Sequence, residues 1–238
     1  MKTGIFEKAH DCTIAARNGK ITVDDKLIYN ANYFVNPKKS IVKFKGEILR
    51  LVKRLYFALN KPADYICQKS KKEKSIYDLL ESLNLPEELI KSLFAVGRLD
   101  KGTEGLIIIT NDGKLSNLLL SPNKEITKEY YAVLQKTIDI NKIKQLEYGI
   151  EINVDYKKYQ TKPSKIKIVG EKESYISILE GKKRQIRKMF EAVGNKVVYL
   201  KRVSIGNLKL GNLESGEFKE ISREEIYKSI MKNQFPKN

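Results

Sequence analysis

The sequence predicts an α+β fold: a domain with a mixed, mostly antiparallel sheet and flanking helices, preceded by a small N-terminal α/β module. The chain has 238 residues, of which 41% are hydrophobic, so it is long and apolar enough to bury a core. Its strand-like segments do not alternate regularly with long helices, as they would in a doubly wound parallel sheet. Its first 50 residues combine one helix with short basic strands, which sets them apart from the rest.

Residues 1–50 are predicted to form the small module. A helix is expected over residues 6–18, because Gly19 is suited to end it. Residues 24–26 indicate a tight turn, and Pro37 interrupts the last extended stretch. The expected strands cover residues 21–23, 27–29 and 41–44.

A basic linker over residues 50–54 is expected to lead into a second domain over residues 55–232. Residues 65–67 are expected to pair back on the first strand of this domain. The other strands are predicted at residues 55–59, 106–110, 130–134, 165–169 and 174–179, and the helices at residues 75–83, 86–92, 114–120, 184–193 and 223–231.

Three of these elements carry specific signals. Residues 106–110 are apolar throughout, which is typical of a strand buried on both faces. Asp112 is placed to cap the helix that follows this strand, and residues 222–225 form a capping box for the last helix. In the helix at 184–193, Ile186, Met189, Phe190 and Val193 form one apolar stripe, and Arg184, Arg187 and Lys188 lie on the other side.

The charge balance points to a polyanionic partner. Lys and Arg number 46 against 29 Asp and Glu, a net charge of +17, which is typical of proteins that bind nucleic acid or an anionic membrane surface. No apolar run approaches the roughly 20 residues of a membrane span. The first ten residues lack a hydrophobic signal core, so we expect a cytoplasmic protein.

Cysteine and histidine are too scarce for the common metal and triad sites. The two cysteines, Cys12 and Cys67, have neither the spacing of metal ligands nor that of a disulfide framework. Because His10 is the one histidine of the sequence, a Ser–His–Asp triad is nearly excluded. Any chemistry therefore has to come from carboxylates, Lys, Arg, Tyr or Ser, without a metal cluster.

Asp100 is the strongest candidate for a reactive group. It lies in a loop with three glycines within nine residues, which permit sharp turns and the close approach of a ligand. Arg98 and Lys101 flank it, and a carboxylate in basic surroundings stays ionised and can act as a nucleophile. A turn in which Asp100 caps the backbone is the alternative that the residues alone leave open.

Four motifs in order resemble those of bacterial rRNA pseudouridine synthases, the family that modifies small-subunit rRNA together with its close large-subunit relatives. The central motif is Gly97-Arg98-Leu99-Asp100, followed by Thr103 and residues 105–113. The others are Leu59-Asn60-Lys61-Pro62, Lys128-Glu129-Tyr130 and residues 180–190, and residues 192–202 continue the pattern. Residues 15–24 resemble the αL RNA-binding domain, which is named after a small-subunit ribosomal protein.

The resemblance implies an isomerisation of one uridine in rRNA that needs no cofactor and no metal. The catalytic Asp of the family corresponds to Asp100. Its active-site Tyr corresponds to Tyr130, whose ring can stack on uracil and whose hydroxyl can assist proton transfer at C5. Arg187 matches the basic residue that pairs with the Asp and orients it, a position where many small-subunit members have Lys. Tyr131 is expected on the opposite face of the strand, in the core.

The resemblance also implies a partner, rRNA or a pre-ribosomal particle, and nothing in the sequence demands more than a monomer. Flipping a uridine out of folded RNA costs a few kcal/mol, which phosphate contacts must offset. Residues 181–202 hold eight basic residues against one acid. The expected RNA-binding residues are Lys61, Arg98, Lys182, Lys183, Arg184, Lys188 and Arg202.

Three alternatives stay open. Residues 119–122 and 192–202 look more like the small-subunit enzymes, whereas Lys183-Arg184-Gln185 looks more like the large-subunit ones. We therefore expect small-subunit (16S) rRNA as the target, with large-subunit (23S) rRNA as the alternative. A non-catalytic RNA-binding assembly protein would share the same scaffold. A glycosidase with Asp100 and Glu104 as its two carboxylates is also possible, although the basic surface argues against a neutral sugar polymer.

Overall fold

The computed structural model describes residue 6 and residues 9–36, 39–49 and 53–231. The α+β prediction is confirmed, because helices flank a large mixed sheet. Pro37 and residues 50–52 of the expected linker lie outside the described residues. No helix in the described ranges is long and apolar enough to cross a membrane.

The N-terminal part packs one helix on an antiparallel sheet. Helix α1 covers Ala9–Arg17, and Gly19 follows it with a φ of +62°, which suits the left-handed turn that ends a helix. Ala16 of the helix and Val23 and Val42 of the sheet are buried together in a small core of their own. The strands are β1 (Ile21–Val23), β2 (Lys26–Leu27), β3 (Val42–Phe44) and β4 (Glu47–Ile48), and their order in the sheet is β2-β1-β3-β4.

The large sheet has nine strands. The remaining strands of the chain are β5 (Tyr56–Lys61), β6 (Phe94–Val96), β7 (Glu104–Thr110), β8 (Lys128–Leu134), β9 (Glu151–Val154), β10 (Lys157–Gln160), β11 (Lys165–Ile168), β12 (Glu173–Ile178), β13 (Val197–Ile205), β14 (Leu208–Lys209) and β15 (Phe218–Glu220). The order is β11-β12-β8-β13-β7-β5-β15, with β14 beside β13 and β6 beside β7. The β13–β7 pair is parallel and the other described pairs are antiparallel, as predicted. Strands β9 and β10 form a separate hairpin.

Helices cover both faces of the sheet around β5 and β7. On β7, Ile107 and Ile109 point into one apolar cluster, and Leu106 and Ile108 point into another. The expectation of a strand buried on both faces is therefore confirmed. The helices are α2 (Glu87–Ser92), α3 (Gly113–Leu120), α4 (Ile140–Tyr148), α5 (Gln185–Ala192) and α6 (Arg223–Met231), with 3-10 turns at Asp78–Leu83 and Pro122–Lys124.

Two capping predictions are confirmed, and one pairing prediction is wrong. The Asp112 carboxylate accepts from the N–H groups of the first turn of α3 at 3.1 and 3.3 Å. Ser222 and Glu225 bond reciprocally at 2.6 and 3.0 Å before α6. Residues 65–67 do not pair on β5, because Ile66 instead forms a parallel bridge with Ser75.

Tyr131 lies on the opposite face from Tyr130, as predicted, but it is not a core residue. This face of β8, β12 and β13 is open to solvent, and Tyr131 is half-buried there beside Tyr175 and Tyr199. Its hydroxyl donates to Glu173 at 2.7 Å. Helices cover both faces of the sheet near β5 and β7, whereas one face of β8, β12 and β13 is exposed to solvent.

Candidate active site

A cavity of about 770 Å³ lies on the face of the sheet that carries Tyr130. Its walls come from the loop at residues 96–101, from β8 and β13, and from residues 181–186. Three of the four sequence motifs therefore meet at one place. Asp100, Tyr130 and Arg202 all line the cavity.

The loop that carries Asp100 is anchored by its neighbour Leu99. Leu99 is buried, and its N–H donates to the Cys67 sulfur at 3.3 Å, while that thiol donates to the Leu99 carbonyl at 3.5 Å. Gly97 begins the loop with a φ of +74°, which favours glycine. This anchoring leaves Arg98 exposed and Asp100 half-buried, both on the cavity wall.

The Asp100 carboxylate makes no hydrogen bond and no ion pair with any residue in the described part of the chain. Lys61 and Arg187 attract it electrostatically from nearby. Thr103, on the same wall, has a buried hydroxyl oxygen that also lacks a partner among the described residues. Buried polar groups are normally hydrogen-bonded, so polar side chains without hydrogen-bond partners at a cavity wall are typical of a ligand site.

Lys61, which is predicted to bind RNA, is buried in this structure and donates to backbone carbonyls. Its side chain is 0% exposed, and its ammonium donates to the carbonyls of Pro62 at 2.6 Å, Tyr65 at 2.7 Å and Lys101 at 3.1 Å. Burial lowers the pKa of Lys61, and Cys67 and nearby carboxylates oppose that shift. The ammonium therefore holds the end of β5 to the residue after Asp100.

Lys61→Met is expected to lower the free energy of unfolding by about 2–4 kcal/mol, because three buried carbonyls lose a charged donor. Urea denaturation of wild type and variant measures this difference. Lys114→Met, at an exposed site on α3, is the matched control and should leave the unfolding midpoint unchanged. A Lys61→Met protein of normal stability with weakened RNA binding would restore the original prediction.

Arg187 reaches the Asp100 loop through the backbone. From α5, its Nη1 donates to the Val197 carbonyl at 2.8 Å and its Nη2 donates to the Gly102 carbonyl at 2.9 Å. Burial lowers the pKa of Arg187, Arg184 acts in the same direction, and attraction to Asp100 opposes both. The guanidinium thus lies within electrostatic reach of Asp100, but its hydrogen bonds go to one carbonyl of the Asp100 loop and one of β13 rather than to the carboxylate.

Tyr130 and Arg202 face the cavity side by side. They are register partners on β8 and β13, and they are 8% and 3% exposed. Arg202, which is predicted to bind RNA, is buried at the cavity wall rather than exposed on the surface. Lys128, two residues before Tyr130, lines the same cavity. Sequence reasoning gave Lys128 no role, although the two-residue period of a strand places it on the face of Tyr130.

Lys128 predicts a pH dependence of RNA binding. Burial lowers its pKa to about 8, and repulsion from Arg202 adds to the effect. Raising the pH through 8 removes a cation from the cavity, so RNA affinity should fall about three- to tenfold between pH 7 and pH 9. In the folded protein the pKa of Lys128 lies below its ordinary value of 10.5. Between pH 8 and pH 10.5 the unfolded chain therefore binds more protons at Lys128 than the folded protein does. The same titration therefore stabilises the folded protein as the pH rises.

The control for this prediction is Lys128→Arg, which keeps the charge at all these pH values. Fluorescence anisotropy of labelled RNA at pH 7, 8 and 9 compares the two proteins. An equal pH dependence in both would assign the titration to another group.

Three of the four basic residues that the 180–190 motif offers for RNA binding lie at the rim of the cavity. Lys182, Lys183 and Arg184 are exposed and line it, whereas Lys188 lies further along α5, outside the lining. Lys182 lies 4.4 Å from the ring centroid of Tyr159, and Lys183 pairs with Asp155 at 3.0 Å. Exposed cations therefore surround the mouth of the cavity.

The glycosidase alternative requires Glu104 as a second carboxylate beside Asp100, and Glu104 lies outside the cavity lining. Glu104 instead accepts a hydrogen bond from Tyr199 at 2.9 Å. Tyr199 lies in the tyrosine group on the open face of the sheet. Within the described ranges, no group of three or more His, Cys, Asp and Glu residues is arranged to hold a metal ion.

Comparison with known proteins agrees with this geometry. Residues 55–192 match the family described as RNA pseudouridylate synthase. An uncharacterized RNA pseudouridine synthase of Bacillus subtilis is 37% identical over 215 residues, covering 88% of this chain and 87% of that protein. Ribosomal small subunit pseudouridine synthase A of Escherichia coli is 30% identical over 211 residues, covering 88% and 89%.

A solved structure agrees as well. The crystal structure of a pseudouridylate synthase superimposes with a TM-score of 0.67 at 28% identity, covering 96% of this chain and 95% of that one. The family match spans more than half of the sequence and includes Asp100, Tyr130 and Arg187. This chain is therefore a member of the RNA pseudouridine synthase family.

Proposed function

We propose that this protein converts one uridine of small-subunit (16S) rRNA to pseudouridine, in the cytoplasm and as a monomer, with Asp100 as its catalytic residue. The observation that carries the proposal is the Asp100 carboxylate, which has no hydrogen bond or ion pair among the described residues and lies in a cavity with Tyr130 and with cations around it. The Escherichia coli relative, named for the small subunit, supports the choice of rRNA.

The reaction is an isomerisation in which atoms balance within the substrate. The bond between C1′ and N1 of the uridine breaks, the uracil turns, and a bond between C1′ and C5 forms. The hydrogen on C5 leaves as a proton, and N1 gains one. Asp100 faces the space where the ribose would lie, either as a nucleophile at C1′ or as a base toward the sugar.

The other residues hold the flipped nucleotide. Tyr130 offers its ring as a surface for the uracil and its hydroxyl for proton transfer at C5. Arg187 positions the Asp100 loop through Gly102. Arg98, Lys182, Lys183 and Arg184 at the cavity mouth bind phosphates, and their charge offsets the cost of flipping.

We also propose that residues 1–50 form an RNA-binding unit of the αL type and residues 55–232 the catalytic domain. The support is that the helix and short strands at residues 9–49 have their own sheet and their own apolar core. Removing residues 1–50 should then weaken binding to a long rRNA more than binding to a short oligonucleotide.

The test uses rRNA labelled with tritium at C5 of uridine. Purified protein should release tritium from small-subunit rRNA in the presence of a chelator, and pseudouridine mapping in cells with and without the gene should locate the site. Release from large-subunit rRNA alone would move the target to 23S. Tight binding without release from either RNA would favour the assembly-protein alternative.

A further inference from the structure

Among the described residues of the cavity wall, Arg202 is a buried arginine with an unsatisfied hydrogen-bond donor. Arg202 of β13 is 3% exposed and stands next to Tyr130, with its guanidinium carbon 5.9 Å from the ring centroid. Its Nε donates to the Leu106 carbonyl at 2.7 Å, and its Nη1 lies 3.5 Å from the Tyr130 hydroxyl. Its Nη2 is buried and has no acceptor among the described residues.

A buried guanidinium with an N–H group that lacks a hydrogen-bond acceptor is unusual in proteins. Arginine has five N–H donors and no acceptor, so each buried N–H that lacks a carbonyl or carboxylate costs free energy. Leu106 fixes the inner edge of the group, and the neighbouring Tyr130 ring fixes its side. The free edge belongs to a residue that lines the cavity, so an acceptor on a bound molecule would complete it.

The acceptor that fits depends on what lies against Tyr130. A pyrimidine stacked on that ring would place its edge over a cross-strand neighbour of Tyr130. These neighbours are Ile176 of β12 and Arg202 of β13, and Arg202 is the one that carries hydrogen-bond donors. Uracil carries a carbonyl oxygen at C4, which accepts a hydrogen bond. Cytosine carries an amino group there, which would meet the guanidinium donor against donor.

We propose that Arg202 is the residue that distinguishes uracil from cytosine, by donating from its free Nη2 to the C4 carbonyl of the flipped base. This inference rests on the proposed function, because it takes the base in the cavity to be a pyrimidine of RNA. It assigns Arg202 to base recognition rather than to phosphate binding. Arg202 keeps its positive charge throughout the reaction in this role.

The experiment measures binding without turnover. Asp100→Asn is the parent protein, and its affinity is measured for two fluorescent single-stranded RNAs of about ten nucleotides, an oligouridylate and an oligocytidylate, which carry equal phosphate charge. The parent should prefer oligouridylate by about tenfold or more, as expected where one RNA satisfies a buried donor and the other opposes it. Adding Arg202→Met should reduce the preference below about threefold.

Two further variants make the result specific. Lys201→Met removes the same charge from the adjacent residue of β13, whose side chain lies on the open face near Tyr199, so it should leave the preference unchanged. Arg202→Gln carries an amide that can donate to uracil or accept from cytosine, so it should also equalise the two RNAs. Because Arg202→Gln is the smaller change in polarity, it replaces Arg202→Met if that variant does not fold, as judged by thermal melting.

Two outcomes overturn the proposal. Equal weakening of both RNAs by Arg202→Met would make Arg202 a phosphate contact, and an unchanged preference would remove it from base recognition. Failure of the proposed function is seen separately, as absence of tritium release from labelled rRNA by wild type, because the binding preference is measured on a protein that does not turn over.

Discussion

Asp100→Asn is expected to reduce tritium release from C5 of labelled rRNA by at least about 10⁴-fold, the scale on which loss of a catalytic nucleophile or base acts. RNA affinity should stay within about tenfold of wild type, with the change toward tighter binding, because a negative charge leaves a cavity that receives a polyanion. Turnover of the purified variant and its RNA dissociation constant, measured at one salt concentration, check both parts.

The surroundings of Asp100 explain why the variant should fold normally. Its carboxylate has no hydrogen bond or ion pair within the described ranges, so the amide breaks neither and removes only the electrostatic attraction to Lys61 and Arg187. Asp64→Asn is a matched control: Asp64 is exposed, lies outside the cavity lining, and has a positive φ that asparagine tolerates. Asp64→Asn should keep full turnover. A melting temperature or RNA affinity that drops sharply in Asp100→Asn would show that Asp100 supports the loop rather than the chemistry.

Local signals in the sequence were sufficient for the central strand and the loop before it. The apolar run at 106–109 is long enough to identify a strand with two buried faces, and glycines mark the turn that exposes Asp100. The cap at Asp112 follows from a single side chain and its distance from the next apolar residues. These features depend on neighbours in the chain, which a sequence displays directly.

Features that depend on distant partners were not predictable in the same way. Lys61 is an expected RNA contact that is buried in this structure. Its ammonium donates to two nearby carbonyls, of Pro62 and Tyr65, but also to that of Lys101, which lies 40 residues away in the chain. Arg202 follows the same logic, since the carbonyl that accepts from its Nε belongs to Leu106 of a strand 96 residues away. A charge count places both on the surface, and only the folded chain supplies the acceptors that allow their burial.

Strand β13 itself escaped prediction. Its segment Val197–Ile205 mixes buried residues with Lys201 and Arg202, so neither an apolar run nor a clean alternation marks it. It nevertheless joins β7 to β8, and it carries Arg202 to the cavity. Gly105 makes this junction possible, because a Cβ there would lie 2.2 Å from the Arg202 carbonyl oxygen.

Arg187→Ala is expected to lower kcat by about 10²- to 10³-fold, because the Asp100 loop loses the guanidinium that holds Gly102, and small displacements of a catalytic group cost rates of this order. RNA dissociation constants should rise by no more than about threefold, since most of the cationic rim remains. Single-turnover tritium release separates the chemical step from binding.

Two companion variants decide what Arg187 does. Arg184→Ala removes an exposed cation from the rim of the same cavity and should weaken RNA binding without the loss in kcat. Arg187→Lys keeps the charge near Asp100 but can reach only one of the two carbonyls, at Gly102 or at Val197, at a time. Partial recovery of kcat in Arg187→Lys would show that charge and loop position both matter. Equal losses of kcat and affinity in Arg187→Ala would instead make Arg187 a phosphate contact, and the loop would need another support.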